Sequence, residues 1–262
     1  MNARAAIPYE GVAQAWDAGP SVLYDALARA IIDEYPEPLR GQRILDIGAG
    51  TGAISRALQQ RGAIPVGLDA APDMVDLMKA RGIDAVVGDL LALPFPDNRF
   101  DGAVAAFSLS HVDRPDKALT EAARVVRPGG RIIIASFAAT QVNTSKDVVD
   151  TVAARFGYVK PAWYIRLKNE TEPMTNTASS LRACARRARL ESINVIERTV
   201  DAAIDRAPDI VAVRLGMGHL APFVSSLSGV ERQALIDEAQ AAVGDPMPLC
   251  PSVLVMSARA GR

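Results

Sequence analysis

The feature that most constrains the fold of this 262-residue chain is a short apolar segment that runs directly into three alternating glycines. Arg43–Ile47 has the length and composition of a buried strand, and Gly48, Gly50 and Gly52 follow it before a helical pattern begins at Ala53. Glycine accepts positive φ angles and lets the backbone approach a ligand closely. The N–H groups at the start of the next helix are free to bind that ligand. This order predicts a ligand-binding turn, although a glycine triplet by itself also suits a tight structural turn.

Strands and helices continue to alternate after this turn. Further strands are predicted at Pro65–Leu68, Ala85–Val87, Phe100–Phe107 and Arg131–Phe137. Helices are predicted at Ala53–Arg61, Pro72–Ala80 and Pro115–Val126. Alternation of this kind requires crossover connections and therefore a parallel sheet. Because the strands are almost wholly apolar, both faces of the sheet are expected to be covered.

The flanking regions are less regular. Residues up to Arg40 have helical spacing, and a helix at Thr177–Arg189 with Thr177 or Ser179 as its cap is followed by strands at Ile193–Thr199 and Ser252–Ser257. The long insert between these two strands, Val200–Pro251, contains helical stretches around Pro208–Leu215 and Val230–Val243. We expect a single α/β domain over residues 1–262, with a helical cap at 1–40, a core at 41–140 and a further region at 141–262.

Composition excludes several classes of protein. Lys plus Arg is 29 and Asp plus Glu is 30, and this balance argues against a nucleic-acid partner. Cys184 and Cys250 are too few for a disulfide framework or a structural zinc site, so no metal is expected. The first residues lack the apolar run of a signal peptide, and stretches such as Ile132–Ala135 are far shorter than the roughly 20 residues that span a bilayer. We expect a cytoplasmic protein without integral membrane association; no pattern indicates its oligomeric state.

Acidic residues at the predicted strand ends narrow the range of ligands that the glycine turn could bind. Asp69 ends the second strand, 21 residues after Gly48, where a carboxylate can accept hydrogen bonds from both hydroxyls of a ribose. The glycine turn also fits the relaxed dinucleotide fingerprint. Asp46 just before the glycines would face a cationic amino-acid moiety, and Asp89 after the third strand lies where an adenine edge would be. These two carboxylates favour a ligand other than a nicotinamide dinucleotide.

With these motifs the sequence resembles the class I S-adenosylmethionine-dependent methyltransferases, and among them the ubiquinone/menaquinone-type, or type 11, branch. Four motifs in family order carry the resemblance over about residues 40–140: LDIGAGTG at Leu45–Gly52, GLDAAPDMV at Gly67–Val75, GDLLALPFPDNRFD at Gly88–Asp101 and ARVVRPGGRIIIASF at Ala123–Phe137. The resemblance implies a Rossmann-like, doubly wound sheet of seven mostly parallel strands with the last strand antiparallel. It also implies N-terminal helices and a helical insert between the last two strands.

The resemblance implies that S-adenosylmethionine is the cofactor and that residues 41–140 bind it. The matching positions are Asp46, Gly48 and Gly50 for the methionine moiety, Asp69 for the ribose, Ala70 and Met74 against the adenosine, Asp89 and Leu90 for the adenine, and Phe107 beside the sulfonium. Met74 and Leu90 could belong to the core alone, and Phe107 could pack without touching a ligand. Tyr9, Trp16 and Tyr24 precede the core, where an aromatic face could lie near the sulfonium or simply pack between helices.

The implied reaction is methyl transfer to a small, apolar or aromatic metabolite, with oxygen favoured over carbon or nitrogen as the atom that is methylated. A general base is needed only if the acceptor must lose a proton. The two histidines, His111 after the fourth strand and His219 in the insert, are rival candidates, and either could be purely structural. Trp163 and Tyr164 could line a pocket for the acceptor or pack in the core.

Two alternatives keep the fold and change the function. A protein of this kind could bind S-adenosylmethionine and catalyse a cyclisation or rearrangement, or it could be a non-catalytic ligand-binding module. Turnover separates them, because only methyl transfer gives a methylated product together with S-adenosylhomocysteine.

Overall fold

A computed structural model describes residues 8–140, 144–245 and 248–261, and its centre is a seven-stranded sheet. The strands are β1 Arg43–Ile47, β2 Ile64–Asp69, β3 Asp84–Val87, β4 Phe100–Ala106, β5 Val126–Phe137, β6 Glu191–Thr199 and β7 Ser252–Arg259. Their order is β3-β2-β1-β4-β5-β7-β6, and β7 runs antiparallel to both of its neighbours. The predicted sheet and its antiparallel last strand are confirmed.

The helices that the structure describes pack on both faces and over one edge of this sheet. They are α1 Ala13–Ala18, α2 Pro20–Asp33, α3 Ala53–Gln60, α4 Pro72–Ala80, α5 Pro115–Val125, α6 Thr144–Arg155, α7 Ala162–Arg166, α8 Ala178–Arg187, α9 Ala207–Leu215, α10 Ala221–Ser226 and α11 Gly229–Val243. Thr177 caps α8, where its hydroxyl accepts a hydrogen bond from the N–H of Ser180 at 3.1 Å. Helix α10 was not predicted from the sequence.

Strand β5 shows one boundary that sequence patterning placed wrongly. The prediction began this strand at Arg131, but Val126 already pairs with Phe100 of β4 across an irregularity in the register. The glycines that follow Pro128 therefore lie inside the paired segment instead of before it.

Alternation of side chains along β1 shows how the core is divided. Leu45 and Ile47 point into one buried cluster, while Ile44 belongs to a second cluster on the other face, together with Leu27 and Ile31 of α2. Side chains on a strand alternate between faces, so a five-residue apolar strand contributes to both clusters. The apolar run of β1 follows directly from this two-sided burial.

The order of the strands changes direction at β1, because β2 lies on one side of it and β4 on the other. Such a change leaves a crevice at the carboxyl ends of these strands. The N-terminal helices and α9 come together on this side of the molecule. A Cβ atom on Gly19 would lie 2.2 Å from the carbonyl oxygen of Ala212, and one on Gly216 would lie 2.5 Å from Cδ of Pro20. Glycine is therefore required at both positions for this close packing.

Within the ranges that the structure describes, no helix has both the length and the apolar character needed to cross a bilayer.

Candidate functional site

The glycine turn after β1 is held from two sides. The N–H groups of Gly48 and Ala49 donate to the carbonyl oxygen of Leu68 at 2.8 and 2.9 Å, and Gly48 adopts a φ of 72°. A Cβ atom on Gly48 would lie 2.3 Å from Cβ of Ser108, whose hydroxyl donates to the carbonyl of Ile47 at 2.8 Å. Only glycine fits between β2 and the end of β4, and this packing fixes the position of the turn.

Asp46 is a buried carboxylate directly before this turn. Its side chain is 1% exposed and accepts a hydrogen bond from the hydroxyl of Ser55 at 2.7 Å. Burial raises the pKa of Asp46 to about 7, and the nearby Asp69 raises it further while the hydrogen bond from Ser55 opposes the rise. A carboxylate in this state gains from a cationic partner.

Asp69 lies at the end of β2 and is oriented by the backbone. One carboxylate oxygen accepts from the N–H of Gly50 at 2.8 Å, and the other accepts from the N–H of Ala71 at 2.9 Å. Each oxygen keeps a lone pair for a further hydrogen bond. Burial raises the pKa of Asp69 despite these two bonds. Asp89, beyond β3, is exposed and accepts from the N–H of Leu91 at 2.8 Å.

These carboxylates line a cavity of about 260 Å³, here called the first cavity. All the positions expected to hold the cofactor contribute to its lining: Asp46, Gly48, Gly50, Asp69, Ala70, Met74, Asp89, Leu90 and Phe107. Its described lining contains three carboxylates and no lysine or arginine. These carboxylates are hydrogen-bond acceptors that fit a ligand with a ribose, an adenine and an ammonium group beside a positive sulfur, which is the chemistry of S-adenosylmethionine.

A second cavity, of about 460 Å³, lies beside the first. It is lined by residues of α2, α6, α9 and the segment that follows α7, together with the ends of β4 and β5. Four residues line both cavities: Tyr9, Tyr24, Phe107 and His111. This shared wall is the place where a group could pass from a ligand in one cavity to a ligand in the other.

The shared wall is an aromatic cluster. The rings of Tyr24 and Phe107 meet edge to face at 5.4 Å, and Phe107 stacks on Phe137 at 4.5 Å. The hydroxyl of Tyr9 lies 3.5 Å from Nε2 of His111, at the long limit of a hydrogen bond. Phe107 has a φ of 61°, a left-handed conformation that is uncommon for a side chain of this size. That strain places its ring between the two cavities.

Both histidines line the second cavity. His111 lines both cavities, and desolvation lowers the pKa of its imidazole to about 4. His219 is 5% exposed, and its ring lies parallel to that of Tyr164 with centroids 3.7 Å apart. Burial, and then the positive charge of Arg214, lower the pKa of His219 as well. Both imidazoles are therefore neutral at pH 7.

Sequence reasoning missed a buried ion pair beside the second cavity. Arg214 of α9 donates from Nε and Nη2 to the two carboxylate oxygens of Asp150 on α6, at 2.7 and 2.8 Å, and both side chains are buried. Each charge lies among apolar neighbours, Asp150 after Val149 and Arg214 between Val213 and Leu215. A single charge on an apolar helix face was the available signal, but its partner is not local in the sequence.

Comparison with known proteins gives a match to one family. Residues 45–134 match the methyltransferase domain family. A demethylmenaquinone methyltransferase of Renibacterium salmoninarum is 40% identical over 111 residues, which cover 42% of this chain and 47% of that protein. A ubiquinone/menaquinone biosynthesis C-methyltransferase of Roseobacter denitrificans is 38% identical over 117 residues, covering 40% and 46%. The chain thus spans about half the length of these curated relatives.

A solved structure extends the likeness beyond this region. The YcgJ protein of Bacillus subtilis superposes with a TM-score of 0.58 at 19% identity, over 90% of this chain and 99% of that one. At this level of identity the match concerns the fold alone, and it confirms the predicted Rossmann-like fold.

Proposed function

Since residues 45–134 belong to the class I S-adenosylmethionine-dependent methyltransferases of the ubiquinone/menaquinone type, we propose that this chain transfers the methyl group of S-adenosylmethionine to a carbon atom of a small ring-containing acceptor. The observation that carries the proposal is the pair of cavities divided by the wall of Tyr9, Tyr24, Phe107 and His111. The first cavity would hold the cofactor and the second the acceptor.

Carbon is proposed because of the relatives. The sequence had favoured an oxygen acceptor, and nothing in the comparisons supports that preference. One relative is a C-methyltransferase of ubiquinone and menaquinone biosynthesis, and another acts on demethylmenaquinone according to its name. A hydroxylated quinol-type ring is therefore the acceptor class we propose.

Each part of the chain has its own task in this proposal. Residues 41–140 would bind the cofactor, the described residues 8–40 would close over it, and residues of 144–245 and 248–261 would supply most of the acceptor cavity. In the first cavity, Asp46 would meet the amino group of the methionine moiety, Asp69 the ribose hydroxyls and Asp89 the adenine amino group. Electrostatic complementarity supports this assignment, since a described lining with three carboxylates and no lysine or arginine favours a positively charged ligand.

The bound cofactor supplies a methyl group already activated by the positive sulfur. The protein then has to align the acceptor carbon with that methyl group and exclude water from both cavities. The wall of aromatic rings borders both cavities, and its ring faces would pack against a flat acceptor and take the place of water at the point of transfer. Neutral His111 can accept a hydrogen bond from a hydroxyl of the acceptor and so orient the ring. With a pKa of about 4 it is a poor general base at pH 7.

Product analysis tests the proposal. The protein is incubated with S-adenosylmethionine carrying a deuterated methyl group and with a panel of hydroxylated benzoquinols and naphthoquinols, and products are identified by mass spectrometry and NMR. We expect a labelled methyl group on a ring carbon in place of its proton, which is released to solvent, and one S-adenosylhomocysteine per product. A rearranged product without S-adenosylhomocysteine would identify a cyclase, and binding without any product would identify a ligand-binding module.

Thermal shift tests the cofactor assignment separately. S-adenosylmethionine and S-adenosylhomocysteine should raise Tm by mass action, while NAD should not. Asp69→Ala should lose most of the shift, whereas Asp205→Ala, at an exposed position outside the lining of either cavity, should retain it. Stabilisation by NAD alone would replace this proposal with a dinucleotide-binding function.

A further inference from the structure

The two cavities carry opposite charge. The described lining of the first cavity has three carboxylates and no lysine or arginine. The lining of the second has three cations, Lys146, Lys168 and Arg214, against two carboxylates, Asp147 and Glu172. A wall without a formal charge separates them, because His111 is neutral at pH 7. This difference indicates that the second cavity receives a ligand of different charge from the first.

Arg214 is the cation that the fold holds in one place. It is 7% exposed, and its two hydrogen bonds to Asp150 come from one side of the guanidinium group. Lys160 lies 3.7 Å from the same carboxylate and adds a second positive charge behind it. By contrast, Lys168 is paired with Glu172 four residues later and is partly exposed. A buried arginine in a bidentate pair keeps its orientation, which a mobile surface lysine does not.

Two polar groups accompany Arg214 at this side of the cavity. Tyr164 lies close enough to Arg214 to favour its charged form, and its ring stacks on that of His219. Nε2 of His219 is buried without a hydrogen-bond partner among the described residues. A neutral imidazole has one N–H to donate, and a buried polar atom without a partner costs free energy until one is supplied. All three side chains line the second cavity.

Aromatic rings form a different part of the same cavity. Phe107 of the shared wall stacks on Phe137, and both rings line the cavity together with Tyr24. A flat apolar ring would pack against these side chains. The second cavity therefore offers an aromatic surface beside the first cavity and a cationic, hydrogen-bonding surface on α9.

We propose that the acceptor carries one acidic oxygen that binds as an oxyanion against Arg214, with Tyr164 and His219 as neighbouring hydrogen-bond donors. Asp150 is then a positioning residue that holds the guanidinium group towards the cavity. The inference rests on the proposed function, because that function makes the ligand of the second cavity a methyl acceptor. The preference of this cavity for an anion can be measured without methyl transfer. Neither neutral histidine is well suited to remove a proton from an ordinary hydroxyl, which agrees with an acceptor that is already ionised when bound. The oxyanion is either an ionised phenol or enol, or a carboxylate.

Matched pairs of probes test the charge preference. Binding is measured by calorimetry, with the protein saturated with S-adenosylhomocysteine so that the first cavity is filled. One pair is 2-hydroxy-1,4-naphthoquinone, ionised at pH 7, against its neutral methyl ether. The other is 1-naphthoate against 1-naphthamide. We expect the anion of at least one pair to bind about tenfold more tightly than its neutral partner, as for one charge-assisted hydrogen bond. The pair that discriminates identifies the acidic group.

Variants connect the preference to Arg214. Because Arg214→Gln alone leaves Asp150 buried without a partner, the main variant is the double change Arg214→Gln with Asp150→Asn, which removes both charges and keeps the shape. Its preference should fall to within about twofold. Arg155→Gln removes an exposed cation that pairs with Glu238 outside the cavity, and should leave the preference unchanged.

Three results would overturn the inference: equal affinity within both pairs, no saturable binding of any of the four probes, or an unchanged preference in the folded double variant. Near-ultraviolet circular dichroism and the affinity for S-adenosylhomocysteine establish that the double variant is folded. If the wild-type protein does not bind S-adenosylhomocysteine at all, the proposed function itself is contradicted. Failure of the proposed function can therefore be distinguished from failure of the charge preference.

Discussion

The buried carboxylate of Asp46 should make the cofactor-free protein less stable as the pH rises. Burial raises its pKa from 3.8 to about 7, so the folded state retains a proton that the unfolded state has already lost. A carboxyl group whose pKa is raised on folding stabilises the folded state fully below its unfolded pKa. That contribution is lost as the pH rises through the folded value. The window therefore runs from about pH 4 to about pH 7.

The size of the effect follows from the shift. One pKa unit corresponds to about 1.4 kcal/mol, and between pH 5 and pH 7 the folded state binds up to one more proton than the unfolded state at this residue. The free energy of unfolding should fall by about 2 to 3 kcal/mol over that interval through Asp46. Asparagine at position 46 has nearly the same shape and does not titrate, so Asp46→Asn should lack this contribution.

Urea denaturation at a series of pH values measures the contribution of Asp46 to the free energy of unfolding. The free energy of unfolding of the wild-type protein minus that of Asp46→Asn should decrease steadily from pH 5 to pH 7. Asp205→Asn, at an exposed position, should follow the wild-type curve. With saturating S-adenosylhomocysteine, the difference between wild type and Asp46→Asn should change less with pH, because the amino group of the ligand would compensate the negative charge of Asp46. Parallel curves for wild type and Asp46→Asn without ligand would refute the reasoning.

Three further outcomes are expected. Gly218→Ala would put a Cβ atom 2.5 Å from the ring of Tyr9, and we expect calorimetry to show several-fold weaker binding of S-adenosylhomocysteine. The same change should have no effect on this binding in a Tyr9→Ala background. The control Gly229→Ala adds a Cβ atom in open space and should bind S-adenosylhomocysteine normally. His111→Phe should keep cofactor affinity but lower kcat at least tenfold in the labelled-methyl assay, because it removes a hydrogen-bond acceptor from the shared wall. Glu37→Gln should lower the free energy of unfolding at pH 7 by roughly 1 kcal/mol in urea titrations, because hydrogen bonds from Arg131 of β5 and Arg259 of β7 lower the pKa of Glu37. This loss should become smaller as the pH falls below about 4.5, where Glu37 becomes protonated.

Local patterns were enough to predict the sheet and the first cavity. Strand β1 is found at the predicted residues, and helix α4 at Pro72–Ala80, because apolar runs, proline starts and glycine stops act over a few neighbouring positions. The positions expected to hold the cofactor line one cavity because they follow consecutive parallel strands, whose carboxyl ends meet at one edge. Their individual roles stay predictions.

The second cavity could not be predicted in the same way. Its walls come from α2, α6, α9 and the segment after α7, which meet only through tertiary packing. The ion pair of Asp150 and Arg214 joins residues 64 positions apart, and no local spacing connects them. His219 and Tyr164 were singled out separately from the sequence, but their parallel contact at 3.7 Å depends on the same packing. Long-range packing thus determines the chemistry of the acceptor side.

The opposite charges of the two cavities have a consequence for the proposed reaction. Where the oxyanion is an ionised phenol or enol, its charge and that of the sulfonium in the first cavity would both be lost as the methyl group is transferred, so the transition state is less polar than the reactants. Water solvates charged reactants better than it solvates such a transition state, which raises the barrier in bulk solvent. The wall of Tyr9, Tyr24, Phe107 and His111 is aromatic, and the carboxylates and cations lie outside it. Aromatic rings where the two cavities meet, with the carboxylates and cations elsewhere in the linings, would let the fold bind both ions while keeping water from the point of transfer.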